Sequence, residues 1–418
     1  MSDIPQPRTI SNRHAVIIGA VWPEPNSSAA GQNMQGLITT LRDMGWRVTF
    51  LTAATDSTHK WDLTSLYVTS ETIALNCSTF NQTIESLAPD IVVFDRFMTE
   101  EQFSWRVRKV CPHAALVLNT EDLHSLRNAR HEAIKQGRDA MQPELNSELA
   151  CREVAAILRS DLSLIISDYE YRLLTQHYGV PVSSMLHLPL LLDETSEVTP
   201  PFKAREGFVT IGNFRHAPNW DAVLQLKQKI WPHIRKQLPD AHLTIYGAYP
   251  PKKATALSDK AQGFQVAGWV SDAAEALRQA RVLLAPLRFG AGVKGKLLSA
   301  MQCGTPSVTT PIGAEGIGAA EQWPGAVCSS ESDFIESAVR LYTQPNEWQS
   351  SCARIPALLQ KKFNSKTNCQ TLQNALLQLV ESLTARRNSN FLQQLLWHHS
   401  LRSTQYMSQW IEEKNRPR

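Results

Sequence analysis

The chain has 418 residues, of which 43% are hydrophobic and 19% are charged. This composition is typical of a globular protein with two or three packed domains, and it excludes a disordered chain. The net charge of +3 argues against a broad basic surface, so we expect no nucleic-acid partner, and no apolar run approaches the ~20 residues that span a bilayer.

The first half of the chain alternates short apolar runs with segments of helical periodicity. Continuous apolar runs, unlike alternating ones, indicate strands that are covered on both faces, as in a parallel sheet. The runs are 15–18, 48–51, 91–94, 115–118 and 164–166, and a helix is predicted over 34–44. Strand and helix in alternation predict the α/β class.

The second half repeats this organisation after an interruption. A polar stretch with two prolines, within 193–206, is typical of a linker between domains. Predicted strands follow at 207–212, 243–246, 264–266, 282–285 and 307–309, and from about Asp333 the chain is mostly helical. We therefore predict Rossmann-like domains over 1–192 and 207–365, a helical extension over 366–418, and a ligand site in the cleft where the strands end.

A glycine-rich segment follows the predicted strand at 282–285. Gly290 and Gly292 leave room for backbone N–H groups to approach an anion, and a helix predicted to start near 293 adds positive potential. This suits the diphosphate of a nucleotide sugar, on which negative charge grows as the glycosidic bond breaks. A structural turn with solvated lysines is the alternative. The cationic side chains of the segment are Arg288, Lys294 and Lys296.

The segment from Arg288 to Gly316 closely resembles the donor-binding segment of glycosyltransferase family four, which has the GT-B fold. Gly212 to Asp221 is similar to the first strand-to-helix loop of that family's C-terminal domain, and Pro23 to Gly31 is similar to its N-terminal loop. The resemblance covers most of residues 14 to 330. It implies transfer of a sugar from a nucleotide sugar to an acceptor hydroxyl, with retention of the anomeric configuration and without a metal.

The resemblance also implies which residues serve the donor. Arg288 and Lys294 would stabilise the leaving phosphate, while Asn219 has an alternative role as the cap of a helix predicted to begin at Trp220. The backbone near Val270 would read the nucleobase. The implied donor-binding residues are Gly31, Gly212, Asn213, His216, Val270, Gly290, Gly292, Lys296 and Ser299.

Two positions depart from the family pattern. Members usually carry a glutamate where this chain has Ser299, and its carboxylate accepts hydrogen bonds from the ribose. A second glutamate, eight positions earlier, falls at Ala291. A serine hydroxyl can bond the ribose, but without charge-assisted strength. The departures leave open a weak or unusual donor site, and also a nucleotide-binding scaffold protein that has lost catalysis.

Charged side chains follow two predicted strands of the first domain. Asp95 follows one strand, and Glu121, Asp122 and His124 follow the next. Side chains just after strand ends point into the cleft of such a fold. We therefore predict that Asp122 and His124 act in catalysis and that Asp95 and Glu121 contact the acceptor or the sugar. A capped helix with an ion-pair face is the alternative, and for His124 the two are equally expected. Glu24 is a weaker candidate of the same kind.

The sequence contains no Asp-x-Asp, HExxH or CxxC motif. Glycosyltransferases of the other main fold use the first motif to hold a divalent metal, and the other two are typical of metal enzymes. We therefore expect neither metal nor cofactor. The seven scattered cysteines indicate reduced thiols, and residues 1–8 lack the apolar core of a signal peptide, so we expect a cytoplasmic protein.

The C-terminal tail has an amphipathic and basic pattern. Phe391 to His399 shows helical apolar spacing, and Met407, Trp410 and Ile411 continue the stripe. Such a helix more often packs on its own protein than on a membrane surface. We expect docking, with a peripheral contact at the inner face of a membrane as the alternative. The expected partners are a nucleotide sugar and an acceptor, which is a glycan, a lipid-linked sugar or a protein.

Overall fold

The computed structural model describes residues 12–192 and 199–416. In that part of the chain, parallel strands form two sheets, with orders β3-β2-β1-β4-β5-β6-β7 and β10-β9-β8-β11-β12-β13. The strands are β1 His14–Gly19, β2 Arg47–Thr52, β3 Thr69–Thr72, β4 Ile91–Asp95, β5 Ala115–Asn119, β6 Leu162–Ile165, β7 Met185–His187, β8 Phe208–Ile211, β9 Leu243–Tyr246, β10 Phe264–Gly268, β11 Val282–Ala285, β12 Ser307–Thr309 and β13 Gly325–Val327.

Helices cover the faces of both sheets and form the C-terminal part of the chain. They are α1 Ala29–Asp43, α2 Thr79–Leu87, α3 Phe97–Val110, α4 His124–Lys135, α5 Glu148–Arg159, α6 Asp168–Gln176, α7 Ala217–Gln225, α8 Trp231–Gln237, α9 Lys252–Thr255, α10 Ala273–Gln279, α11 Gly295–Gln302, α12 Pro311–Ala314, α13 Glu331–Thr343, α14 Pro345–Cys352, α15 Ile355–Lys362, α16 Ser365–Ser389 and α17 Phe391–Lys414. The predicted α/β class with two Rossmann-like domains is confirmed. We call them the N-domain and the C-domain, after the sheet that each contains.

The predicted strands correspond to the observed strands with the longest apolar runs. Three strands, β3, β7 and β13, were not predicted. They are short and lie at the edges of their sheets, where a strand buries less apolar surface. All four residues of β3 are exposed, and its sequence Thr-Ser-Glu-Thr contains no apolar residue. Edge strands of this kind carry no hydrophobic signal.

Three predicted helix starts were wrong by a few residues. α1 begins at Ala29 rather than near Met34, because the Ser28 hydroxyl accepts from the backbone N–H of Gly31 and so caps the helix earlier. α11 begins at Gly295 rather than near 293. α7 begins at Ala217, so Asn219 lies in its first turn and does not cap a helix at Trp220.

The last two helices return to the N-domain. Leu372, Leu376, Leu379 and Leu383 of α16 are buried in the core beside β1 and β2. α17 packs on α3 and α5, and its Trp397 lies partly buried against the core on the opposite face of the same sheet, which contains Val16 and Ile18. No helix in the described ranges is long and apolar enough to cross a membrane. Residues 193–198 of the predicted linker, like residues 1–8, lie outside the described residues.

Candidate functional site

The ends of β5 and β8 bring predicted residues of the two domains together. Asp122 of the N-domain lies near His216 of the C-domain, and the His124 ring nitrogen Nε2 lies 3.5 Å from an Asp122 oxygen. Burial opposes the ionisation of Asp122, but Arg127, His124 and His216 outweigh it and lower the pKa of this carboxyl. Burial lowers the pKa of both imidazoles to about 4, so both rings are neutral at pH 7.

Glu121 is held in a polar cluster behind this carboxylate. Its backbone has a positive φ of 59°, and one carboxyl oxygen accepts from Asn33 at 3.2 Å and from Asn119 at 2.9 Å. Burial and the nearby Asp95 raise the pKa of Glu121 to about 8. Its carboxyl therefore carries a proton at neutral pH, which lets two buried acids share one small volume.

Arg96 belongs to the same cluster but was not among the predicted residues. Its backbone has a positive φ of 70°, and its guanidinium lies 4.0 Å from the Asp95 carboxylate. Asp95, 4% exposed, also accepts from the backbone N–H of Ala20 at 3.3 Å. The sequence signal that could have identified Arg96 is its position directly after Asp95, at the end of a strand.

The donor side contains a compact polar cluster at the start of α11. The Lys296 ammonium donates to Asn219 at 2.7 Å, and the Asn219 amide donates to the Asn213 carbonyl at 2.9 Å. Gly212 is required beside them, because a Cβ there would lie 2.6 Å from Asn219. Burial lowers the pKa of Lys296 to about 7. This cluster thus forms a candidate anion site, in which a bound anion would stabilise the charged form of Lys296. Its members are Gly212, Asn213, Asn219 and Lys296.

Gly290 and Gly292 adopt the positive φ angles that favour glycine, but their polar groups face the N-domain. The Gly292 N–H donates to a Glu170 oxygen at 2.7 Å, and the Leu123 N–H donates to the same oxygen at 2.9 Å. The Gly290 carbonyl accepts from Arg130 at 2.8 Å. The acceptor of the Gly292 N–H is therefore a carboxyl of the chain itself, and the role of this N–H toward an anionic ligand stays a prediction.

Glu170 was also absent from the predicted residues. Burial and Asp122 raise its pKa to about 8. Its second oxygen is buried and has no hydrogen-bond partner in the described structure. Its sequence position in the first turn of α6, shortly after β6, is a strand-end position like those of Asp95 and Asp122.

Lys294 and Arg288 occupy different surroundings. The Lys294 ammonium donates to the Gly292 carbonyl at 2.9 Å and lies 4.0 Å from Glu315, and burial lowers its pKa to about 8. The Arg288 guanidinium makes a bidentate pair with Asp221 of α7, and its side chain is 39% exposed. The hydrogen bonds of Arg288 therefore go to its own domain.

Ser299 and Ala291, where the family usually has glutamates, also lie in different surroundings. Ser299 is half-buried on α11, three residues after Lys296 and hence on the same helix face. Ala291 is buried and packs in the apolar core of the N-domain. A carboxylate at Ala291 would have to enter that apolar cluster.

The domains meet closely around the glycine-rich loop. Arg130 of α4 makes two hydrogen bonds, 2.7 and 2.8 Å long, to the Glu315 carboxylate, and both side chains are buried. The starts of α1 and α11 also touch, because a Cβ on Gly295 would overlap Ala29. Gly31 contributes by allowing the Glu24 backbone to approach α1. The structure is a closed arrangement of the two domains.

A second contact between the domains surrounds the segment that would read the nucleobase. Tyr249 donates to the Glu24 carboxylate at 2.7 Å, and Ser57 bonds the same oxygen. The His59 ring stacks on Trp269 with 4.7 Å between ring centroids. Val270, half-buried, follows Trp269 directly. His59 and Tyr249 were not predicted, because neither belongs to a recognisable sequence motif.

The comparisons with known proteins agree with this architecture. Residues 205–344 match the family described as glycosyl transferases group 1. No curated protein sequence matches the chain. The matched segment contains Gly212, His216, Lys296 and Ser299, so it includes most of the predicted donor side.

Several solved structures have a similar fold at low sequence identity. Sucrose-phosphate synthase from Thermosynechococcus elongatus is 14% identical, with 88% of this chain and 100% of that chain covered and a TM-score of 0.65. HepE from Anabaena, solved with UDP and glucose, is 12% identical, with 88% and 100% covered and a TM-score of 0.67. WaaG, a glycosyltransferase involved in lipopolysaccharide biosynthesis, is 14% identical, with 87% and 99% covered and a TM-score of 0.62.

At these identities the likeness shows the fold, which is the GT-B arrangement of two facing Rossmann-like domains. The family match covers residues 205–344, which contain the sheet of the C-domain. The chain therefore has the GT-B fold, and its residues 205–344 match the glycosyl transferases group 1, in agreement with the resemblance of its Arg288–Gly316 segment to a glycosyltransferase family.

Proposed function

We propose that the protein transfers a sugar from a nucleotide-sugar donor to an acceptor hydroxyl, with retention of the anomeric configuration and without a metal ion. The observation that carries this proposal is the cluster of Gly212, Asn213, Asn219 and Lys296 at the start of α11, inside the segment that matches the family. A half-buried lysine beside a helix N-terminus suits the diphosphate of such a donor.

In this proposal Lys296 and the start of α11 stabilise charge on the leaving diphosphate. The bond from the anomeric carbon to the phosphate oxygen breaks, and a bond to the acceptor oxygen forms on the same face. The acceptor proton passes to the departing phosphate. Charge stabilisation of this kind is commonly the largest contribution to catalysis. Lys294 and Arg288 are expected to contribute less directly, because Glu315 and Asp221 neutralise them in the closed structure.

The acceptor enters the proposal on the N-domain side. Asp122 and His124 would orient its hydroxyl group, since they lie at the end of β5 opposite His216. Asp95 and the protonated Glu121 would support that arrangement from behind. The acceptor is a glycan, a lipid-linked sugar or a protein. We place the reaction in the cytoplasm, with α17 giving the protein a peripheral position at the inner face of a membrane.

The experiment that tests the proposal measures donor hydrolysis and transfer by the purified full chain with a panel of nucleotide sugars, beginning with UDP-glucose. Lys296→Met should lower turnover on the order of 10²-fold, as removal of a catalytic charge-stabilising donor does. Lys236→Met is the matched control, because Lys236 is an exposed lysine of the same domain. Retained anomeric configuration, followed by proton NMR, is the expected stereochemistry.

Turnover should persist in EDTA. Loss of activity in EDTA with rescue by manganese or magnesium would contradict the metal-independent reaction. The rival function is a nucleotide-binding scaffold protein, which Ala291 and Ser299 favour because the two usual carboxylates are missing. Nucleotide binding without turnover of any donor would support that rival.

A further inference from the structure

A surface groove lies between the end of α3 and the middle of α17, at the opposite end of α3 from Asp95. Its volume is about 400 Å³. Three of the side chains that line it are cationic and none is acidic, while two tryptophans form its walls. The lining residues are Trp105, Arg108, Lys109, Trp397, His398, Arg402 and Gln405.

The cations of this groove are held in place by aromatic neighbours. The Arg108 guanidinium lies 4.1 Å from the Trp397 ring centroid, and Arg402 lies 3.3 Å from His398. Burial and the neighbouring Arg387 lower the pKa of Arg108 to about 10, so its charge persists at neutral pH. A concave surface with several cations and no acid in its lining attracts an anionic group.

Apolar side chains flank the groove along the outward face of α17. Phe391, Tyr406 and Trp410 are 75%, 63% and 59% exposed, and Leu392, Leu395 and Met407 are exposed as well. Leu395, Arg402 and Tyr406 are seven and four residues apart, so the cation and the apolar side chains share one face of the helix. We call these six exposed apolar residues the outer stripe.

The combination of cations and exposed aromatic residues distinguishes this face from an ordinary surface. Single exposed apolar residues are common on soluble proteins. Exposed apolar residues in two groups, one at each end of a helix of 24 residues, or about 36 Å, flank a cationic groove, and this arrangement suits a helix that lies in the headgroup region of a bilayer. Tyrosine and tryptophan favour that region because each has a polar atom on an apolar ring.

We propose that α17 lies on an anionic phospholipid bilayer, with its outer stripe inserted among the headgroups and with a lipid phosphate bound in the groove by Arg108, Lys109 and Arg402. This inference rests on one part of the proposed function, the peripheral position of the protein at a membrane. It adds the class of lipid and the residues that contact it. It does not require that the chain transfers sugar.

The test measures co-sedimentation of the full chain with vesicles of phosphatidylcholine alone and of phosphatidylcholine with 30% phosphatidylglycerol. We expect binding to the anionic vesicles, and a loss of that binding in 0.5 M salt, where exposed charges are screened. Lys109→Ala with Arg402→Ala should weaken binding on the order of thirtyfold, since each of the two cations near an anionic surface contributes roughly 1 kcal/mol. Tyr406→Ser with Trp410→Ser should also weaken binding to the anionic vesicles.

The matched control is Lys236→Ala with Lys260→Ala, which removes the same charge from exposed positions of the C-domain. Equal binding by the control pair and the groove pair would overturn the inference. So would equal binding to both kinds of vesicle, absence of binding, or a dimer in light scattering that the Tyr406 and Trp410 changes dissociate. Donor hydrolysis, measured without vesicles, separates this failure from failure of the proposed function.

Discussion

Burial makes the charge of Lys296 depend on pH near neutrality. Its pKa in the free protein is about 7. A bound diphosphate favours the charged ammonium and therefore raises this pKa, so binding takes up a proton. Nucleotide affinity should then fall as pH rises above about 7, by up to about tenfold per pH unit.

Titration calorimetry with UDP between pH 6.5 and 8.5 measures this dependence. The two imidazoles near Asp122 do not interfere, because their pKa values of about 4 lie below the window. Lys294 titrates inside it, with a pKa of about 8. Lys296→Met removes only the first contribution and should flatten the profile. An unchanged slope in that variant would exclude Lys296 from the anion site.

Glu170 allows a comparison of two substitutions at one buried carboxyl. With a pKa of about 8 it is protonated at pH 7, so Glu170→Gln preserves an oxygen that accepts from Leu123 and Gly292. Glu170→Ala leaves two backbone N–H groups without a partner, at a cost of roughly 1–3 kcal/mol each. Urea unfolding at pH 7 should therefore separate the two variants clearly.

The stability difference between Glu170→Gln and the parent should also depend on pH. The carboxyl of Glu170 loses its proton near its ordinary pKa of 4.5 in the unfolded chain but only near 8 in the folded one. Its contribution to the free energy of unfolding therefore decreases as pH rises through this interval. Glutamine lacks that loss, so Glu170→Gln should gain stability relative to the parent between pH 5 and 8. A constant difference would mean that the carboxyl is ionised throughout.

The glycine-rich loop is the element whose shape depends most on the opposite domain. Gly292 has a φ of 64°, and a Cβ there would lie 2.7 Å from the Cβ of Asp122. Gly137 has a similar φ of 69°, but no atom lies within 4 Å of its Cβ position. Both alanine substitutions incur the left-handed backbone cost of roughly 1 kcal/mol. Only the one at Gly292 should also hinder closure.

Donor turnover and urea unfolding of Gly292→Ala and Gly137→Ala test this difference. We expect similar losses of stability in both variants, with a fall in turnover confined to Gly292→Ala. If both retain turnover, the close approach of the loop to Asp122 has no part in the reaction.

Closure of the whole molecule depends on a buried ion pair. Arg130 and Glu315 come from different domains, and the pair is inaccessible to solvent at its Arg130 end. Arg130→Met would remove both short hydrogen bonds from a buried carboxylate and leave it only Lys294, 4.0 Å away, which costs up to roughly 3–5 kcal/mol if the domains stay closed. We therefore expect the domains to part, which returns Glu315 to water.

Small-angle scattering measures this as a larger radius of gyration for Arg130→Met than for the parent. Arg152→Met is the control, because Arg152 pairs with Glu101 inside the N-domain on the surface, where an ion pair contributes little. Identical scattering from all three proteins would show that other contacts, such as Tyr249 with Glu24, suffice for closure.

At the scale of the fold, the sequence by itself determined the α/β class with two Rossmann-like domains, most of their buried strands along the chain and the family that the C-domain resembles. A strand covered on both faces must be apolar throughout, so β1, β4 and β11 are visible as continuous runs. Edge strands such as β3 have no such requirement and were missed. The strand-end rule also singled out Asp95, Asp122 and His124, which lie at or just after the ends of β4 and β5, and their roles stay predictions.

Only the tertiary structure decided which of these groups meet and which charges they carry. Glu170 with Gly292, Arg130 with Glu315, and His59 with Trp269 are far apart in sequence and follow no local period, so no spacing predicts them. Arg288 illustrates the same limit, since nothing local indicates its pairing with Asp221. The pKa values of Lys296 and Glu121 likewise depend on burial, which arises only when the domains pack around them.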